Sequence, residues 1–187
     1  MARPLDEEKR RAILMAALRI IPEEGLGATT ALIAREAGIS SGSLFTYFPD
    51  KVTLLNQLYL AIKTDVAEAL MRDFPLQSAI RERAYHVWMA YIEWACAHPE
   101  QRATLQQLSV SRVVTAEVRA QSAVMFEAIN IMLAELGTTG ICDNVEFITS
   151  VMASLAESTI DFVLQSPNDK KALTEAGFNM FARATGI

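Results

Sequence analysis

Apolar residues recur every three to four positions from one end of this chain to the other, and nowhere do they alternate with polar ones for long. That period belongs to helices with one buried face; half-buried strands need a period of two. The expected fold class is therefore all-α. With 187 residues, 51% of them hydrophobic, the chain is able to enclose a core.

Proline, glycine and capping residues cut the pattern into about nine helices. The first begins near Asp6, and Pro22 is expected to end or kink it before Gly25. Thr29 caps a short helix over Thr30 to Ala37, which Gly38 ends in a left-handed conformation. Ser40 or Ser41 caps a third, reaching Tyr47 or Phe48. Pro49 stops it and Asp50 opens a long fourth. Further helices are expected over Leu76 to His98, Glu100 to Val110, Thr115 to Leu136 and Asn144 to Gln165, with a last one opening at Ser166-Pro167. Very short helices give way to long ones near Asp50. Residues 1–50 and 51–187 are therefore expected as two domains.

The net charge of −5 argues against a generally basic nucleic-acid binder, but its distribution is uneven. Residues 1–51 hold seven Lys/Arg and seven Asp/Glu, so the remainder carries the whole −5. Arg3, Lys9, Arg10 and Arg11 lie near the start. No apolar run reads as long enough to cross a bilayer, and the first residues lack a signal-peptide pattern, so a cytoplasmic protein without a membrane partner is expected. Cys96 and Cys142, isolated in apolar surroundings, are expected as free thiols.

Between Ala34 and Lys51 the smallest side chains, Ser40-Ser41-Gly42-Ser43, stand directly before Leu44-Phe45-Thr46-Tyr47-Phe48. An ordinary cap and turn explains the serines alone. The full register explains more. Ala34 is small where two short helices touch, Gly38 makes the tight turn, and Ile33, Ala37, Ile39, Leu44 and Phe48 anchor both helices. That combination describes a helix-turn-helix, with the serines at the outer end of its second helix.

The run G-L-G-A-T-T-A-L-I-A-R-E-A-G-I-S-S-G-S-L-F-T-Y-F-P-D-K-V-T-L-L resembles the DNA-binding segment of the tetracycline-repressor (TetR) family of bacterial transcription regulators. The resemblance covers roughly the first third of the chain. It implies a three-helix DNA-binding domain followed by a larger helical bundle for ligand binding and dimerisation. By position, Thr30 lies beside a phosphate, Ser41, Gly42 and Ser43 face the groove, Tyr47 sets its hydroxyl on the backbone with Thr46 near it, and Lys51 contacts another phosphate. Phe45 departs from the tyrosine common there, Ala31 offers no long polar group, and Pro22 falls where the first helix usually continues.

The resemblance also implies a ligand cavity among the later helices. Trp88, Tyr91, Met125, Phe126, Met152 and Phe162 are the expected lining for an apolar or aromatic molecule; core packing is the competing explanation for each. The helix over Asn144 to Gln165 carries two apolar stripes, Ile148-Val151-Leu155-Thr159-Phe162 and Ala153-Ala156-Ile160-Leu164, and so needs two partners. With the last helix, which contains Gly177, it is expected to pack against a second copy as a four-helix homodimer interface.

No catalytic constellation stands out, and no cofactor or metal is expected. His86 and His98 lack supporting ligands. Glu157 and Asp161 have no nucleophile or phosphate loop with them. The expected function is a dimeric repressor that a small molecule releases from a palindromic operator, with the fourth helix carrying the motion. The alternative is a helical ligand-binding or scaffolding protein without DNA binding.

Overall fold

The computed structural model describes residues 6–137, 142 and 144–187. Among them are ten α-helices and no strand: α1 (Glu7–Glu24), α2 (Thr30–Glu36), α3 (Ser41–Tyr47), α4 (Lys51–Met71), α5 (Ile80–Ala97), α6 (Pro99–Ser109), α7 (Ala116–Val124), α8 (Glu127–Gly137), α9 (Val145–Gln165) and α10 (Lys170–Thr185). A 3₁₀ turn, Pro167–Asp169, leads into α10.

Most boundaries fall where the caps put them. Asp6 accepts from the amides of Glu8 and Lys9 at 3.0 and 3.4 Å. Thr29 accepts from Leu32 at 3.1 Å, Asp50 from Thr53 at 2.6 Å and Asn144 from Phe147 at 3.0 Å. Each satisfies an amide that the first turn leaves without a helical partner. Pro22 does not end α1, which continues to Glu24. So near the terminus the ring removes only the one bond to the Leu18 carbonyl, and its fixed φ suits the helix. Gly25, at φ 71°, makes the stop and donates to Ile21 O at 2.9 Å.

The expected helix over Thr115 to Leu136 is two helices. It breaks at Met125 and Phe126, where the Phe126 amide turns back to Ala123 O at 3.1 Å and the Asn130 side chain reaches the same carbonyl at 3.4 Å. Neither glycine nor proline marks the break.

The chain forms two compact units, each built from two segments. The first comprises the chain up to Thr64 together with His98–Ser122; the second comprises Asp65–Ala97 together with Ala123–Ile187. In the first, α1 packs against α2 and α6, and α2 against α3. Ile13, Ala17, Ile21, Ile33, Leu44, Phe48, Leu54, Leu58 and Leu108 are buried there.

In the second unit α9 packs against α10, α8 and α5, and α10 also meets α5. Gly177 of α10 sits at that crossing. A Cβ there would lie 2.4 Å from Thr159 Oγ1 and 2.7 Å from Trp88 Cζ2, so α10 approaches these side chains too closely for any residue larger than glycine. Trp88 is fully buried and donates from Nε1 to Thr174 O at 3.0 Å.

One expectation needs revising. By length and composition α9 is apolar enough to cross a membrane, and a third of its most apolar window is buried. It carries Glu146, Glu157 and Asp161 and packs on three other helices, as a bundle helix does. Cys96 and Cys142 are half-buried free thiols.

Candidate nucleic-acid interface

Two backbone bonds close the α2–α3 turn. Ile39 N donates to Ala34 O at 3.0 Å and Gly38 N to Arg35 O at 3.1 Å, the paired bonds that close a helix on a left-handed residue. Gly38 has φ 70°, and a Cβ there would meet nothing within 4 Å. Backbone conformation, and not space, calls for glycine at this position.

Ser40 caps α3, its Oγ accepting from Ser43 N at 3.1 Å. That hydroxyl is committed to structure. Ser41 and Gly42 are exposed at the outer end of α3 and Ser43 is half-buried. Nothing lies within 4 Å of a Cβ placed on Gly42, so this end is open to an approaching surface. Leu44 and Phe48, both buried, hold the other face of the helix down.

The remaining predicted contacts flank this tip. Thr30 begins α2 and is half-buried; Lys51 begins α4 and is half-buried; Tyr47 is half-buried at the end of α3. Thr46 is exposed, its hydroxyl donating back to Gly42 O at 3.3 Å. Asp50, next to Lys51, is held below the usual carboxylate range, first by the backbone amide of Thr53 and then by its hydroxyl. Phe45 is 45% exposed. It stands one turn beyond Ser41 and Gly42 and so shares their outward face.

Residues outside the motif fix the same unit, and sequence reasoning missed them. Asn56 of α4 is 5% exposed. Its amide donates to Val52 O and Val113 O, both at 2.8 Å, and its carbonyl accepts from Thr115 N at 3.0 Å. Gln107 of α6 donates to Ile21 O at 3.2 Å, clasping the end of α1. Arg119 donates to Ser109 O and Ser111 O at 3.0 and 2.8 Å. One signal was available: Asn56 is a polar residue inside the apolar stripe of Leu54, Leu55, Leu58 and Tyr59. Arg10, counted as part of a basic start, lies over the Phe48 ring at 5.8 Å and donates to Gln57 at 2.8 Å.

The residues named for a ligand all lie in the second unit. Trp88 belongs to the cluster with Gly177 and Phe178. Tyr91 donates to Glu157 at 2.5 Å. Met152 is buried, Met125 and Phe126 are half-buried at the α7–α8 break, and Phe162 is 57% exposed. A pocket of about 200 Å³, lined among others by Leu136, Phe147, Ile148, Val151 and Thr185, includes none of these six. Among the described residues no group of three or more His, Cys, Asp or Glu is placed to hold a metal ion.

Counted by unit, the charge separates further than the division at residue 51 showed. The first unit holds eleven Lys/Arg and nine Asp/Glu; the second holds six and thirteen. Their net charges are +2 and −7.

Residues 13–58 match the sequence profile of bacterial regulatory proteins of the tetR family. The chain is 32% identical over 125 residues to the HTH-type transcriptional regulator BetI of Stenotrophomonas maltophilia, covering 56% of this chain and 63% of that protein. It is 39% identical over 74 residues to the HTH-type transcriptional regulator HbdR of an Aromatoleum species, covering 39% of this chain and 31% of that one. The matches thus span less than two thirds of either relative. A solved Shewanella sp. PV-4 chain described as a tetR family transcription regulator superposes with a TM-score of 0.84 at 29% identity, over 94% of this chain and 97% of that one. FadR of Bacillus subtilis, solved in complex with stearoyl-CoA, shares the fold at a TM-score of 0.70 and 17% identity, over 92% and 97%.

Proposed function

Because the chain belongs to the tetR family of bacterial regulatory proteins, we propose that it is a homodimeric repressor, without enzymatic activity, that binds a palindromic double-stranded operator. One observation carries this reading. The outer end of α3 presents Ser41 and Gly42 to open space while Leu44 and Phe48 anchor its back. A small-residue helix end held in that way fits the major groove.

Ser41, Gly42 and Ser43 face base edges. The exposed ring of Phe45 offers an apolar edge to a thymine methyl. Thr30, Tyr47 and Lys51 hold phosphates, with Thr46 beside them, and fix the register. The roles divide near residue 50: residues 1–50, with Lys51 directly after them, meet DNA, and the remainder of residues 51–187 binds ligand and a second copy.

The dimer reading draws on α9 and α10. Phe162 of α9 and Met180 of α10 are 57% and 61% exposed, with Ser158 one turn from the first and Ala176 one turn from the second also exposed. Large apolar and small residues on two neighbouring helices suit packing against the same face of a second copy. Two recognition helices spaced about 34–36 Å apart would then read both half-sites. The ligand, an apolar or aromatic molecule in the larger domain, binds the misspaced dimer more tightly and so shifts the population away from DNA. That a relative of this fold carries stearoyl-CoA supports room for a small molecule.

Selection of duplexes from a random pool, followed by binding at several salt concentrations, tests the reading. Enrichment of a palindrome whose affinity falls steeply with salt is expected. Failure to retain any duplex, or a monomer in sedimentation at micromolar concentration, overturns it and favours a ligand-binding scaffold.

A further inference from the structure

The reading end of α3 is short of hydrogen-bonding groups. Its sequence, Ser41-Gly42-Ser43-Leu44-Phe45-Thr46-Tyr47, has no Arg, Lys, Asn, Gln, Asp or Glu. Those are the side chains whose fixed donors and acceptors tell guanine, adenine and cytosine apart in the major groove. A hydroxyl either donates or accepts, and so suits any of the four bases. Two of the nearby hydroxyls are also tied into the helix: Ser40 accepts from Ser43 N at 3.1 Å and Thr46 donates to Gly42 O at 3.3 Å. Ala31, exposed at the start of α2, adds only a methyl group. What remains on the outward face is an aromatic ring. Phe45 is 45% exposed, one turn beyond Ser41, while Leu44 and Phe48 are buried. A phenyl group without a polar tip gains by leaving water, and the major groove offers it one apolar feature to cover, the C5-methyl group of thymine. That methyl, and not a pattern of donors and acceptors, then distinguishes one base from another at this position.

We propose that Phe45 selects the operator by the C5-methyl group of a pyrimidine, so that thymine and 5-methylcytosine are both accepted against its ring while uracil and unmodified cytosine are both disfavoured. Cytosine methylation at that one position of a half-site therefore raises affinity for duplexes that lack the thymine. This selectivity rests on the regulatory reading for placing α3 in the groove, and goes beyond it in making the methyl group, and not the base that carries it, the signal that is read.

The test uses the full chain and the duplex enriched from the random pool. Each thymine of a half-site, together with its symmetry mate, is replaced in turn by uracil, which deletes the methyl group and keeps every hydrogen-bonding group. At one position affinity is expected to fall about fourfold per methyl group lost, or about fifteenfold for the two half-sites together. Placing cytosine at that position weakens binding, and 5-methylcytosine in its stead recovers about fourfold per half-site. Phe45→Ala is expected to bind the thymine and uracil duplexes equally, with the melting temperature of the protein unchanged because the ring is exposed. Phe45→Leu keeps an apolar tip and retains part of the preference. An enriched duplex without thymine in its half-sites, equal binding of thymine and uracil at every position, 5-methylcytosine no better than cytosine, or a uracil effect that persists in Phe45→Ala overturns the proposal. Its failure is distinguishable from that of the regulatory reading. A salt-sensitive duplex retained without any uracil effect removes methyl selection and keeps the regulator, whereas no retained duplex removes both.

Discussion

The two units solve the same packing problem with different materials. In the first, backbone carbonyls and amides far apart in sequence are tied by polar side chains: Asn56 to Val113 and Thr115, Gln107 to Ile21. In the second, rings dominate: Tyr85 against Phe178 at 4.9 Å, Trp88 against Phe178 at 6.2 Å and Tyr91 against Trp94. Hydrogen bonds fix direction and register, whereas apolar contact tolerates rearrangement of shape. The unit proposed to read DNA is thus held by the directional kind, and the unit proposed to accept a ligand by the adaptable kind.

The contrast is broken most forcefully at Gly177. A β-branched side chain there would drive into Trp88 and Thr159. Gly177→Val is expected to cost ~3 kcal/mol, seen as an earlier unfolding transition in urea monitored by tryptophan fluorescence. Adaptable aromatic packing does not extend to this crossing; a cost below ~1 kcal/mol would show that it does.

Asn56→Leu probes the opposite material. It strips the Val113 carbonyl and the Thr115 amide of their partners while keeping similar bulk. A loss of about 2–3 kcal/mol in urea unfolding is expected, because a buried polar group without a partner costs its desolvation. If leucine is neutral, the polar clasp is not what orders the first unit.

Tyr47→Phe combined with Lys51→Ala sharpens the comparison without disturbing either core, since both residues are only half-buried. Duplex affinity is expected to fall by ~2 kcal/mol, with a shallower salt dependence and unchanged sedimentation. A fall in self-association instead would place these residues in the wrong unit's business.

The smallest effect concerns Lys63, near the end of the first unit's share of α4. Burial lowers its pKa from 10.5 to about 8. Between those values the unfolded chain keeps a proton that the folded chain has released, so stability rises with pH across that window and the contribution is lost as pH falls through about 8. Lys63→Met is expected to raise the melting temperature at pH 7 by about 2–4 °C and to abolish the rise between pH 8 and pH 10.5.

Much of this was legible beforehand, for identifiable reasons. Thr29, Ser40, Asp50 and Asn144 cap helices because short side-chain oxygens satisfy amides within three residues, a purely local interaction. Gly38 was readable because a left-handed turn leaves few other choices. The α7–α8 break was not readable, since its cause is tertiary: no local residue forbids helix at Met125-Phe126, and the passage from one unit to the other occurs just before it. The site divides along the same line. Ser41 and Gly42 are exposed as the motif requires, whereas Phe162 faces outward and Trp88 is a core residue bonded to α10. Helical period tells which residues are apolar and not which neighbour covers them.

The discontinuous first unit has a practical corollary. Anyone grafting this protein's reading head onto another sensor, to rewire which signal controls which promoter, would cut naturally after the long fourth helix. Such a chimera would leave behind α6 and the stretch to Ser122, with Gln107 and the backbone that Asn56 grips. A working transplant must carry that second piece of chain with it, or supply a foreign one of matching shape.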